Sequence, residues 1–186
     1  MTNPHLNQFV EAWLGKAENY SNTELQGVFD RFFSLFVSFN ALYQDATNQL
    51  IARQRITPQS ATDSQSATKH VIAFIGPRNL QNWLIQNCQN DIDEMVRLIE
   101  DGTFYINTHR GSSLPDHASD REQTRGIKSL EPEKYCLGIL KLIYKTRCNM
   151  FHGSKEFSHI QIQLLRPMNS ILLAVINCLR SALGNS

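Results

Sequence analysis

Apolar residues recur in steps of three and four along most of the chain, which is the period of a helix and not of a strand. The longest such pattern covers residues 24–54, with Leu25, Val28, Phe29, Phe32, Phe33, Phe36, Phe39, Leu42, Tyr43, Ala46 and Leu50 in register. Leu35 and Val37 fall off this stripe. A helix with so wide an apolar face is expected to be central or covered on two sides, by its own chain or by a second subunit. Asn22 or Thr23 offers an N-cap ahead of Glu24. A shorter amphipathic stretch precedes it over residues 6–14, carrying Leu6, Phe9, Val10, Trp13 and Leu14.

The pattern then breaks and resumes. Residues 57–66 are rich in Ser, Thr, Gln and Asp and read as a loop, followed by a short helix over 67–75 that Gly76-Pro77 stops. Asn79 can cap a helix over 80–100, where Leu80, Trp83, Leu84, Cys88, Ile92, Met95, Val96 and Ile99 trace one face. Asp101-Gly102 ends it. Phe104-Tyr105-Ile106 is the one strand-like run and is too short to define a strand. Residues 107–129 turn to Gly, Ser, Asp, His and Arg with little to bury, so a mobile loop is expected there. Pro132 suits the first turn of a helix over 132–152, stopped by Gly153. Cys136, Leu140, Ile143, Arg147 and Met150 share its stripe. A last helix is expected over 155–183, kinked or interrupted at Pro167. The sum is an all-α, up-and-down bundle of about four main helices plus short additional ones, in one domain over residues 1–186.

Composition narrows the function classes. A formal net charge of +1 gives the whole molecule no electrostatic preference for nucleic acid or membrane, so anion binding must come from a local cluster. Cys88, Cys136, Cys148 and Cys178 are widely spaced, with no CxxC pair. They are expected to be buried free thiols in a reducing compartment, and no metal site is expected of them. Residues 1–5 carry no basic stretch before an apolar core, and no uninterrupted apolar run approaches the ~20 residues that span a bilayer. A cytoplasmic protein that does not engage a membrane is the expectation.

The densest polar chemistry lies at the end of the 132–152 helix. Arg147 follows Ile143 by four residues and Leu140 by seven, so it continues the core-facing stripe. A buried guanidinium needs a carboxylate or a cleft, and Asp30, Asp91 and Asp93 are candidate partners. His152 falls in the last turn, where the helix dipole favours its protonated form, and Lys155 lies just beyond Gly153. Positions five apart differ by about 140° around a helix, so Arg147 and His152 do not share a face. Two copies related by a two-fold axis could bring both pairs to one cleft.

Arg147-Cys148-Asn149-Met150-Phe151-His152-Gly153, with Lys155 two residues on, resembles the Arg-x4-His signature of the HEPN superfamily. The aromatic run from Phe36 to Tyr43 is similar to the early helix of such domains. The resemblance implies an all-α bundle that forms a homodimer. It also implies a metal-independent endoribonuclease whose paired motifs make one composite site, of the kind found in toxins and antiviral effectors. Carried onto this chain, His152 is the acid/base group and Arg147 binds the scissile phosphate. Asn149 orients the phosphate or His152, although the motif's polar residue often follows the arginine directly, where Cys148 stands. Lys145 and Lys155 would contact phosphate. The implied partners are an RNA substrate and an antitoxin or regulatory protein, the implied products carry 2′,3′-cyclic phosphate ends, and no cofactor is needed. The alternative within the same resemblance is a non-catalytic dimerisation module that binds a nucleotide or a partner.

Overall fold

In the computed structural model the backbone is described for residues 4–109, 114–151 and 160–184, and the side chains of the same residues except 151, 160 and 161. The fold is an all-α helical bundle, as the periodicity predicts. Its elements are α1 (Pro4–Glu18), α2 (Leu25–Ala52), α3 (Asp63–Gln65), α4 (Val71–Ile75), α5 (Pro77–Glu100), α6 (His117–Ile127), α7 (Pro132–Phe151) and α8 (Ile160–Gly184). Among the described residues there is no strand, only an isolated bridge between Thr108 and Pro115.

The wide apolar face of α2 is covered from within the chain, by α1 on one side and α8 on the other. Leu35, predicted off the stripe, is buried for this reason. Along the middle of α2, Phe32, Phe36, Phe39 and Tyr43 form a ladder with successive ring centroids 6.2, 5.8 and 5.1 Å apart. Such offset and edge-on contacts are the favourable arrangements for aromatic rings. The helix α8 packs on both α2 and α5, and α7 rests on α5, α6 and the turn before α4. Within α8, residues 162–184 are long and apolar enough by composition to cross a bilayer, yet most of their most apolar 18-residue window is buried inside the bundle. Buried apolar side chains from every helix except the short α3 join one hydrophobic cluster.

Several boundaries differ from the expectation, each for a local reason. Glu24, and neither Asn22 nor Thr23, stands at the N-cap of α2. The preceding turn folds over the helix so closely that a Cβ on Gly27 would lie 2.4 Å from the Ser21 carbonyl oxygen. Gly76, at φ 91°, and Pro77 start α5, which leaves the Asn79 amide to donate back to Ile75 O at 3.1 Å. The irregular point of the long helices is Cys88 in α5 (φ −153°, ψ 27°), while α8 runs through Pro167. The segment over 57–75 is more ordered than a loop, with a 3-10 turn at 58–60, α3, a π-helical turn at 66–70 and α4. All four cysteines are free thiols, with Cys88, Cys136 and Cys178 buried and Cys148 half-buried. Burial pushes Cys88 and Cys136 up to about 12 and Cys178 up to about 11, which keeps these three protonated and inert at neutral pH.

The largest difference is α6, which occupies half of the expected 107–129 loop. Asp116 caps it, accepting from Ser119 N at 3.1 Å and from the Ser119 hydroxyl at 2.7 Å. Its buried stripe is Asp120, Thr124 and Ile127, a helical spacing in which only one member is apolar. The contact between α6 and α7 depends on Gly138: a Cβ there would stand 2.8 Å from Ile127 Cγ1 and 3.0 Å from Ile127 N. Gly15 in α1, by contrast, has nothing within 4 Å of such a Cβ. Alanine gains about 1 kcal/mol over glycine inside a helix, whereas forcing backbone apart costs about 1–3 kcal/mol. Gly138→Ala is therefore expected to lower stability to chemical denaturation, while Gly15→Ala leaves it unchanged or raises it; equal effects of the two would contradict this packing.

Candidate functional site

The last two turns of α7 present two polar faces. On one, Arg147 lies with its guanidinium carbon 5.5 Å from the centroid of Phe36, at the edge of the α2 aromatic ladder. Contact with a ring face stabilises a partly desolvated cation by about 1–2 kcal/mol. One guanidinium nitrogen points back to Cys148 Sγ at 3.9 Å. One turn earlier, the Tyr144 hydroxyl donates to Asp63 Oδ2 at 3.0 Å, and from α2 the Tyr43 hydroxyl donates to Asp63 Oδ1 at 2.6 Å. A single carboxylate on α3 thus clamps α2 to α7 beside the arginine.

The electrostatics of this cluster oppose one another. Burial is the main cause that raises both phenols, and the Asp63 carboxylate adds to it. Arg147 acts in the other direction on both. The balance pushes Tyr144 up to about 12 and holds buried Tyr43 higher still, so both phenols stay protonated donors throughout the physiological range.

The opposite face of α7 is built differently. Residues two apart on a helix differ by about 200°, and residues four apart by about 40°. Lys145 and Asn149 therefore share a face that points away from Arg147. The Lys145 ammonium donates to Asn107 Oδ1, and the Asn149 amide donates to Ile106 O at 2.7 Å. Asp120, 1% exposed, completes this side. Its carboxylate accepts from Ile106 N at 3.1 Å, Asn107 N at 2.9 Å and the Asn107 amide at 2.6 Å. It serves the backbone of residues 106–107 as a neighbouring strand would. Burial lowers the Lys145 pKa, and Asp120 partly offsets this. Farther along the same face a groove of 370 Å³ between α6 and α7 is lined by Lys134, Lys141 and Lys145, with Glu122 opposing them.

Of the residues predicted from sequence, Arg147 is on one face, and Lys145 and Asn149 are together on the other. His152 and Lys155 lie outside the described residues. Asp30, Asp91 and Asp93 are engaged by Gln26, Ser170 and Gln89 respectively. Asp63, Tyr43 and Tyr144 were not anticipated as a group. Tyr144 stands one turn before Arg147, a local signal, but Asp63 is 81 residues away in a polar stretch that looks like any solvated loop. Comparisons with protein-family models, with curated proteins and with solved structures find no match. Fold and site together define an all-α bundle with an arginine-centred polar cluster at the end of its penultimate helix.

The phenols give a direct check on the clamp. A phenol whose folded pKa exceeds the ordinary value near 10 contributes stability that is complete below that pH and is lost as pH rises through the folded value. Subtracting the alkaline ultraviolet titration of Tyr144→Phe from that of the wild type is expected to leave one phenolate step near 12. Asp63→Asn, which removes the carboxylate charge, is expected to move that step down. A Tyr144 step at the ordinary value in the wild type would contradict the clamp.

Proposed function

We propose that the chain is a HEPN-type endoribonuclease that acts as a cytoplasmic homodimer, with a composite site formed by Arg147 and His152 of both copies. The observation that carries the reading is the position of Arg147: a charged side chain on the core-facing stripe, supported from beneath by Phe36 and set where the Arg-x4-His motif leaves the last turn of α7. The all-α bundle and the further long helix α8 after the motif are in keeping with it.

The chemistry follows from the residue types. The nucleophile is the RNA 2′-hydroxyl, which attacks the adjacent phosphorus while the bond to the leaving 5′-oxygen breaks. The products are a 2′,3′-cyclic phosphate and a 5′-hydroxyl. His152 takes the hydroxyl proton or supplies the one that the leaving oxygen needs, since an imidazole titrates near neutrality. The planar donors of Arg147 bind the phosphoryl oxygens and stabilise the charge that gathers on them. Because the nucleophile belongs to the substrate, the residues named suffice without a metal or cofactor. A toxin or antiviral role, held in check by an antitoxin or regulatory protein, fits such an activity.

A second reading has its own observation. Lys145 and Asn149 are used to hold residues 106–107, which removes two of the polar groups expected at the phosphate. That favours a non-catalytic dimerisation module binding a nucleotide or partner protein. Incubating purified protein with mixed RNAs separates the two. The nuclease predicts cleavage with cyclic phosphate ends, a loss of about 100-fold or more in His152→Ala with folding intact, and a comparable loss in Arg147→Ala. Intact RNA, or cleavage that persists in His152→Ala, would leave the binding module as the function.

A further inference from the structure

On the outer surface where α1 lies along α2, three aromatic rings touch one another. Trp13, half-buried, has its ring centroid 6.3 Å from that of Phe9 and 6.3 Å from that of Phe33. Phe9 is 44% exposed and Phe33 38%. One exposed apolar residue is ordinary, whereas rings in mutual contact at the surface form a patch, and such patches mark interaction sites. Lys16, one turn on from Trp13, holds its ammonium 4.6 Å from the Trp13 centroid. Among the described residues Lys16 forms no ion pair. The carboxylates of α1 are turned away from the patch: Glu11 pairs with Arg180, and Glu11 and Glu18 both line a hollow shared with Asn177 and Arg180 of α8. Asp30 of α2, one turn before Phe33, is the acidic group at the patch edge and accepts from the Gln26 amide at 3.0 Å. The row of rings also leads to the proposed nuclease site. Phe33 precedes Phe36 by three residues, so it lies about 60° around α2 and about 4.5 Å along it. Phe36 is the ring beneath the Arg147 guanidinium.

We propose that this patch is a stacking platform for the bases of single-stranded RNA, with Phe9 and Phe33 as the rings and Lys16 against the backbone. The choice of RNA as the occupant rests on the nuclease reading, since the platform borders the arginine assigned there to the phosphate. Every base presents a π-face, so stacking on such rings tolerates sequence, and the contact of a cation with phosphate makes the binding fall with salt. A second copy of the chain meeting this face about a two-fold axis would bring another Lys16 to it and no carboxylate from α1. A polyanion neutralises that charge instead, which favours nucleic acid over a protein contact.

The test uses the full chain carrying His152→Ala, so that RNA is not consumed, and a labelled oligoadenylate of about twelve nucleotides, with binding read by fluorescence anisotropy. Phe9→Ala and Phe33→Ala are each expected to weaken binding by about tenfold or more with the circular dichroism unchanged, while Phe9→Tyr and Phe33→Tyr retain it. An abasic strand of the same length is expected to bind more weakly than oligoadenylate by a similar factor. Lys16→Ala is expected to reduce the slope of log affinity against log salt by about one. Absence of RNA binding, equal binding of the abasic strand, or affinity indifferent to both alanine substitutions would overturn the proposal. So would a monomer–dimer equilibrium that Phe9→Ala shifts while RNA affinity stays the same, which would make the patch a contact between copies. Binding through these rings with no cleavage by the wild type leaves the platform standing and removes the nuclease. Cleavage by the wild type with binding indifferent to the rings does the reverse.

Discussion

Holding a guanidinium at the edge of an aromatic core is the constraint on which this end of the molecule depends. Arg147 continues the stripe of α7 that packs inward, and a cation in that position must be compensated or it will disrupt the bundle. Phe36 supplies a ring face, which the ladder Phe32–Phe36–Phe39–Tyr43 holds in place from one side. Asp63 then ties α2 to α7 through two phenols. The carboxylate accepts a hydrogen bond from each phenol, and both phenols feel the charge of Asp63 and, in the opposite sense, that of Arg147. The result is a charged group held against an aromatic ring, as the proposed phosphate contact would need.

The other face of α7 has the opposite economy. Lys145, Asn149 and Asp120 spend their hydrogen bonds on residues 106–107 and anchor the connection between α5 and α6. Lys145 and Asn149, which looked like ligand-binding groups in the sequence, bond the Asn107 side chain and the Ile106 carbonyl in the fold, while Asp120 satisfies the backbone N–H groups of the same irregular segment. One copy of the chain therefore brings Arg147 to its side of α7 without Lys145 or Asn149. That division is what sets the non-catalytic module beside the composite site as a reading of the same helix end.

Much of this could be read from the sequence. The period of three and four located α1, α2, α5, α7 and α8, because each buries a continuous apolar stripe. The helix α6 was not legible, since its buried positions are Asp120, Thr124 and Ile127 and a reading based on hydrophobicity sees only the last. Its capping residue Asp116, three before Ser119, was the signal available. The register of Arg147 on the stripe predicted an inward direction, and its half-buried place over Phe36 agrees with that direction. The Asp63 clamp was out of reach, because contacts across 20 and 81 residues are set by how helices cross and leave no local trace.

The central claim, that the end of α7 is one half of a two-chain site, is tested most directly by a crystal structure of the protein as it associates in solution. A composite site predicts a two-fold dimer in which both His152 imidazoles and both Arg147 guanidinium groups face one cleft, near enough to flank a single phosphate. A monomer, or a dimer with the two His152 side chains on separate faces, would contradict it.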